Sequence, residues 1–401
     1  MANTILTAQQ ITREALRLFK NSNAFLKSVD RQYDDSFARD GAKIGTSLKI
    51  RLPNDYTVRT GAATSVQDTT EQSTTLTVAT QKGVDVAFTS VDRTMSLDDF
   101  GQRILSPMMN NLGGAIAADV LSGSEAISNL VNKVDGSSNT IAPDASTWLT
   151  AGAVLDNQGA PRGNRVAILD PYTNARTVSS LSGLFNAQNK IGTQNTKGTM
   201  DAEILGIQNW SMDQSVIKHV TGAYSTIGTV SGASQSGTAI TTSALAGPLK
   251  KGDVISFAGV FAVNRTSKVT TGALAQFVVT ADVATSATSI PIYPALTPGA
   301  VQFQTVTASP ASGAAITVAT KASETYRNNF IMSPMACTMA TADLMLPRGV
   351  HEAARETFDG ISMRMISAYD ISNDRFITRL DVLYGYQWVR PEWAVRVPDA
   401  L

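Results

Sequence analysis

One cysteine in 401 residues, Cys337, leaves nothing for an intrachain disulfide and too few thiols for a cysteine-based zinc knuckle. It sits in the apolar run Met335-Ala336-Cys337-Thr338-Met339 and reads as a buried, inert thiol. Two histidines, His219 and His351, lie far apart and outside any metal-ligand spacing, so each reads as structural. Lysine and arginine total 33 and aspartate and glutamate total 33. No basic excess draws the chain to nucleic acid and no acidic excess marks a tail. No apolar run approaches the ~18 residues that a membrane span needs. The N-terminus is polar and amphipathic rather than signal-like, so the expectation is a soluble protein made and used in a cytoplasm.

Catalytic motifs are also missing. There is no phosphate-cradling glycine loop, no dinucleotide fingerprint and no Gly-x-Ser-x-Gly elbow. The adjacent carboxylates Asp34-Asp35 and Asp98-Asp99 diverge on a strand or a helix and read as solvated acids. Asn264-Arg265-Thr266 matches a glycosylation sequon, which means nothing without secretion. Lys250-Lys251 is the densest basic spot and is too small for a nucleic-acid patch. No cofactor and no metal are expected, and the expectation is a protein that is not an enzyme.

What is present is a block of unusual composition. Residues 221–330 are more than half Gly, Ala, Ser or Thr, and carry nine charged side chains against 57 in the other 291 residues. Short β-branched runs near 226–230, 238–242, 253–263, 276–280, 288–292, 301–307 and 314–319 are separated by turn signals such as Gly247-Pro248 and Lys251-Gly252-Asp253. The pattern predicts a small inserted barrel or sandwich.

The flanks differ. A helix is predicted from about Thr7, with Gln10 at the capping-box spacing and Ile11, Ala15, Leu18 and Phe19 on one face. Residues 21–40 read as a loosely patterned arm. Alternation over 47–90 predicts a long two-stranded excursion whose polar tip, 54–75, carries Arg59, Asp68 and Glu71. Ser96 should cap a long helix with the stripe Phe100, Ile104, Met108, Leu112, Ile116 and Val120, which Pro107 should kink or divide. A second helical run is predicted over 125–133. Residues 165–169 predict a buried strand, which Asp170-Pro171 ends by opening a helix. Alternation returns at Met363–Ile366 and Thr378–Tyr386, Arg390-Pro391-Glu392 reads as a turn, and Ala394–Val397 as a last strand.

Three separated stretches carry a resemblance. Gln67-Asp68 through Leu76-Thr77-Val78-Ala79-Thr80-Gln81-Lys82 resembles the far side of an extended capsid loop. Gly252 through Asn264, followed by Gln276-Phe277-Val278-Val279, resembles an inserted capsid domain. Arg379-Leu380-Asp381-Val382-Leu383-Tyr384-Gly385, then Arg390-Pro391-Glu392-Trp393-Ala394, resembles the end of the same proteins. The chain is similar, over nearly its whole length, to major capsid proteins of tailed double-stranded DNA bacteriophages with the Hong Kong 97 fold, of the Salmonella podovirus coat type.

The resemblance implies an α+β fold with an N-terminal arm (1–40), an extended loop (41–90), a spine helix and peripheral domain (91–140), an axial domain (141–220), an inserted β-barrel (221–330) and an axial return with C-terminal peripheral strands (331–401). It implies an icosahedral shell built from copies of the chain in pentamers and hexamers, around packaged DNA touched non-specifically. Scaffolding protein, portal and a decoration protein are implied partners, with no membrane. The implied location is the virion capsid, assembled in the bacterial host cytoplasm. Arg51, Asp55, Arg59, Asp68 and Glu71 become the expected intersubunit residues of the extended loop. Lys250, Lys251 and Asp253 become the expected two-fold contacts of the barrel. The alternative is a phage tail or surface binding module whose β unit recognises a receptor or glycan.

Overall fold

The structure is a computed structural model that describes residues 8–31, 46–88 apart from 65 and 70, 101–181, 197–200, 203–299, 301–358, 360–372 and 375–401. The chain divides into two compact units. One takes Met1–Arg51, Ser73–Val120 and Cys337–Val389; the other takes Leu52–Gln72, Leu121–Ala336 and Arg390–Leu401.

In the first unit, helix α1 (Ala8–Ser22) buries Ile11, Ala15, Leu16 and Phe19. Its expected cap, Thr7, lies outside the described residues. The expected arm is better ordered than its sequence suggests over 24–31. Asn23 caps a short helix α2 (Ala24–Ser28), Phe25 and Leu26 are buried, and strand β1 (Asp30–Arg31) pairs in parallel with β15 (Cys337–Ala342). The alternating stretch divides in two. Strands β2 (Thr46–Arg51) and β3 (Ser73–Val78) form an antiparallel hairpin, whereas β4 (Thr80–Phe88) pairs along β18 (Arg375–Trp388). β18 also pairs with β15 and with β17 (Ile361–Asp370), and β16 (Glu352–Phe358) closes the order β1-β15-β18-β17-β16. Leu76 and Val78 pack with Ala340, Ala342, Leu344 and Leu383.

Helix α3 (Ser106–Ser122) follows a five-residue π-helical turn, Gly101–Leu105. Pro107 lies one residue into the α-helix and cannot donate to the π-helical turn before it, so it marks the junction of the two windings. Met108, Leu112, Ile116 and Val120 of the expected stripe are buried; Ser96, Asp98, Asp99 and Phe100 lie outside the described residues. Asp119 of α3 is held by Lys82 Nζ (2.7 Å) and Tyr384 Oη (2.5 Å).

In the second unit, the predicted helix over 125–133 is absent. A short 3-10 turn (Gly123–Ala126) leads into strand β5 (Asn129–Leu130). The long-range partner β19 (Ala394–Ala400) takes these backbone groups in parallel pairing and overrides the local pattern. Helix α4 (Ala145–Asn157) starts at a capping box made by Asp144 and Thr147. The predicted strand β6 (Val166–Leu169) is fully buried, and Asp170 caps helix α5 (Pro171–Ser180) by accepting the Tyr172 N–H at 2.9 Å. With β7 (Asn209–Met212), β8 (Lys218–Val220) and β14 (Thr325–Met332), these strands form a sheet of order β5-β19-β14-β6-β7, with β8 on β14. Trp148, Leu155, Leu169, Ile331 and Val395 fill the space between α4 and the sheet.

Between β8 and β14 stands the barrel: β9 (Gly237–Thr241), β10 (Val254–Val263), β11 (Thr270–Val279), β12 (Ser289–Leu296) and β13 (Ile316–Val318), in the order β13-β10-β11-β12-β9. The expected strand at 226–230 is reduced to bridges, and these close the barrel: Thr229 meets Ala315 beside β13 and Val230 meets Thr242 beside β9. The expected strand at 301–307 survives only as bridges from Val306. β14 belongs to the neighbouring sheet, so residues 325–330 lie outside the barrel. The barrel has its own core of Ile240, Leu249, Phe257, Val260, Phe277 and Ile290, all fully buried, each worth about 1.5–3 kcal/mol.

A close approach in the first unit yields a prediction. A Cβ on Gly385 of β18 would lie 2.1 Å from the Thr77 carbonyl oxygen of β3. Both groups are backbone, so Gly385→Ala should cost about 1–3 kcal/mol. Urea unfolding of the variant and of the natural chain measures the difference, and an unchanged midpoint contradicts the packing.

Candidate assembly surfaces

The root of the barrel is built around one carboxylate. Asp253, fully buried, opens β10. Its Oδ2 accepts the backbone N–H groups of Gly222 (3.1 Å) and Lys250 (2.8 Å). Its Oδ1 lies 3.0 Å from His219 Nε2, and His219 Nδ1 lies 3.5 Å from Glu125 Oε1. His219 comes from β8 and Gly222 from the connection leaving it, so the carboxylate ties barrel to sheet where the chain crosses. The outgoing connection runs alongside: Thr221 donates its N–H to the Glu324 carbonyl (2.9 Å) and Ser323 donates to Gly222 (3.1 Å). Burial opposes the imidazolium, but its bonds to Asp253 and Glu125 outweigh that and hold the His219 pKa above its ordinary value. The buried Arg396 works against the imidazolium while balancing the two acids.

Two further tethers hold the barrel. The Gln276 amide pairs with the Leu130 backbone in both directions, accepting its N–H (2.7 Å) and donating to its carbonyl (2.8 Å). Gln276 thus acts as one more rung on β5. Glu392, in the turn before β19, accepts from Tyr293 Oη (3.0 Å) and pairs with Arg265 (3.1 Å). Burial and the Glu392 carboxylate push the Tyr293 phenol well above its usual pKa.

Between β2 and β3, the described residues of 52–72 join no strand. The two limbs are joined at Leu52 N–H to Gln72 carbonyl (2.8 Å) and by the Gln67 amide, which bonds both backbone groups of Thr57. Each limb also touches the barrel. Asp55 pairs with Lys268 and accepts the Phe303 N–H (3.0 Å), and Gln302 donates to the Asp68 carbonyl (3.0 Å). Beyond these points Val58 and Val66 are 93% exposed.

The expected loop residues therefore separate. Arg51, Arg59, Asp68 and Glu71 have exposed side chains, the Arg59 guanidinium bonding the Gly61 carbonyl. Asp55 is instead turned onto its own barrel. Of the expected two-fold contacts, Lys250 and Lys251 are on the surface, with Asp282 between them: it pairs with Lys250 Nζ (2.8 Å) and accepts the Lys251 N–H (2.8 Å). Asp253 is a correction. It is walled in by its three donors and cannot reach a second copy. The sequence pattern assigned no role to Asp282 or Lys268, and marked Gln276 and Glu392 only as part of the resemblance and of a turn. Only Lys268 had a local signal, the Asn264 turn in which the Asn264 side chain accepts the N–H groups of Thr266 (3.0 Å) and Ser267 (3.1 Å).

An exposed loop tip and a separate barrel domain offer candidate binding faces. The sequence model of the P22 coat protein, gene protein 5, matches residues 1–397. The chain belongs to the P22 coat protein family. It is a shell-forming coat protein of a virion capsid, and its fold is α+β with an inserted barrel. It is similar to the major capsid protein of Acyrthosiphon pisum secondary endosymbiont phage 1, 24% identical over 428 residues and 98% of each chain. Among solved structures it resembles one from Mycobacterium phage Che8 (TM-score 0.46, 12% identity, 94% of this chain and 90% of that one). It also resembles the capsid of Ralstonia phage GP4 (TM-score 0.45, 6% identity, 93% of this chain and 87% of that one). The family assignment rests on the sequence match, not on these overlaps. It decides against the alternative of a receptor-binding tail module.

Two predictions concern the barrel root. Asp253→Ala strands three donors in a dry site and should cost about 3–5 kcal/mol, whereas the exposed Lys250→Ala should stay within about 0.5 kcal/mol. Chemical denaturation of the two variants gives the contrast. Because folding raises the His219 pKa, its contribution is full below the ordinary histidine value of about 6.5 and is lost as pH rises through the folded value. The denaturation midpoint should therefore fall as pH rises above about 6.5, and His219→Gln should flatten that slope.

Proposed function

We propose that this coat protein assembles, as pentamers and hexamers, into the closed icosahedral shell of a tailed phage around packaged double-stranded DNA. The observation that carries the reading is the family match over residues 1–397, which leaves almost no part of the chain unaccounted for. The unit containing α1, α3 and the β16-β17-β18 meander is the peripheral part, and the β5-β19-β14-β6-β7 sheet with its two helices the axial part. The protein acts by binding its own copies and has no enzymatic activity.

The physical properties suit the role. A shell gains stability by repeating several modest interfaces on every copy. Heterologous contacts that close into rings fix its geometry. With 33 basic and 33 acidic side chains, copies pack without net repulsion. Packaged DNA needs only phosphate contacts, which explains the absence of any base-reading motif. The bare loop tip at Val58, Arg59 and Val66 lies on a neighbouring copy, and the exposed Arg51, Asp68 and Glu71 contribute further polar contacts to it. Lys250, Lys251 and Asp282 form the charged face of the barrel toward a two-fold partner. A scaffolding protein guides assembly in the host cytoplasm, a portal occupies one vertex, and a decoration protein can add to the outer face.

Coexpression with the scaffolding protein of the same phage, followed by electron microscopy, tests the reading. Closed shells are expected from the natural chain. Replacing residues 58–66 by a short glycine linker should leave a folded monomer, because their contacts lie beyond the Gln67 cross-link, and should abolish stable shells. Monodisperse monomers from the natural chain under every condition would overturn the proposal.

A further inference from the structure

Asp55 is an acid of the extended loop whose partner is neither in the loop nor in the hairpin below it. One of its oxygens, Oδ2, meets both Lys268 Nζ and the backbone N–H of Phe303, at 3.0 Å for the latter. Lys268 and Phe303 come from separate connections of the barrel, the β10–β11 turn and the segment after β12. Each holds a left-handed backbone conformation, with φ of 57° and 58°. Such conformations are uncommon for residues with a side chain and persist only where surrounding contacts fix them. For Lys268 the fixing contacts are visible: its N–H donates to the Asn264 carbonyl (2.9 Å), and the Asn264 side chain holds the rest of the turn. The barrel rim thus presents a preformed receptor for one carboxylate, a cation and an N–H aimed at the same point.

The returning limb is held separately, by Gln302 on the Asp68 carbonyl. The barrel contacts sit at 55 and 68, and the Gln67–Thr57 cross-link ties the limbs just inside the tip. Beyond it, Val58 and Val66 are 93% exposed. A loop folded back on its own subunit would cover its tip. This one is tied to the barrel at its limbs and bares the tip.

We infer that Lys268 is a positioning residue for assembly: with Phe303 N–H and Gln302 it pins the extended loop to the barrel of its own subunit, so that the tip is presented before a neighbour arrives. The inference rests on the coat reading for its purpose but not for its geometry. Ordering the loop in advance removes part of the entropy that assembly would otherwise cost at each contact. The barrel is then the part that aims the loop.

Hydrogen exchange on the monomer reads the latch directly, and an assembly assay reads its purpose. In Lys268→Ala the amides of Thr57 and Phe303 should exchange about tenfold faster while amides of β10 and β11 keep their protection. Scaffold-driven assembly should slow several-fold. Lys268→Arg should retain both properties. If Lys268→Ala does not fold, Asp55→Asn, which leaves the barrel sequence intact, reads the same amides. Unchanged exchange at Thr57 and Phe303 overturns the latch. Faster exchange with undiminished assembly overturns the positioning role. Failure of the natural chain to form any shell overturns the coat reading and leaves the exchange result standing on its own.

Discussion

The arrangement of the second unit depends on a single buried carboxylate. Asp253 receives two backbone N–H groups and a histidine, and each partner belongs to a different stretch: the incoming connection, the turn before β10 and the sheet strand β8. Hydrogen bonds to a charged group contribute about 1.5–3 kcal/mol each, and they must offset the several kcal/mol lost when the carboxylate leaves water. The balance holds only if all three donors stay in place, so the site fixes an orientation and not merely an attachment. It also dictates the glycines around it. Gly252 has φ of +95°, and a Cβ there would come within 2.9 Å of the His219 ring. At Gly222 a Cβ would meet the Pro248 carbonyl oxygen at 2.3 Å.

From that fixed root the rest of the barrel follows. Gln276 extends β5 with a side chain in place of a strand, and Glu392 binds the far end through Tyr293 and Arg265. An accessory domain carried on two connections would otherwise swing. Three tethers of different chemistry make it a rigid rim, and the rim then holds Asp55 and the Asp68 carbonyl. Order passes from a buried carboxylate to a barrel to a loop. For a coat subunit this matters because the shell multiplies any looseness by the number of copies.

Much of this was legible in the sequence. The charge-poor, small-residue block marked the barrel, since only short strands around a compact core suit that composition, and the apolar run 166–169 marked β6. The stripe Met108, Leu112, Ile116 and Val120 marked α3 because a 3.6-residue period has one buried face. The misreadings share a cause. Residues 129–130 form a strand because β19 and Gln276 take their backbone groups, and both partners are remote in sequence. Lys250-Lys251-Gly252-Asp253 has the look of an exposed charged turn, and two of its charges are exposed. Asp253 is buried because His219, 34 residues earlier, is folded onto it. Likewise nothing near Asp55 announces Lys268, 213 residues away. Local pattern reports periodicity and composition; which charges meet is decided by topology.

If one subunit holds its barrel and loop in place so that the loop tip reaches another, an electron cryomicroscopy reconstruction of the assembled shell will show it. Asp253 should still be enclosed by His219, Gly222 and Lys250 in every subunit, with residues 58–66 lying on a neighbouring copy. A shell in which the barrel has parted from β8, or in which the tip contacts only its own subunit, would contradict this arrangement.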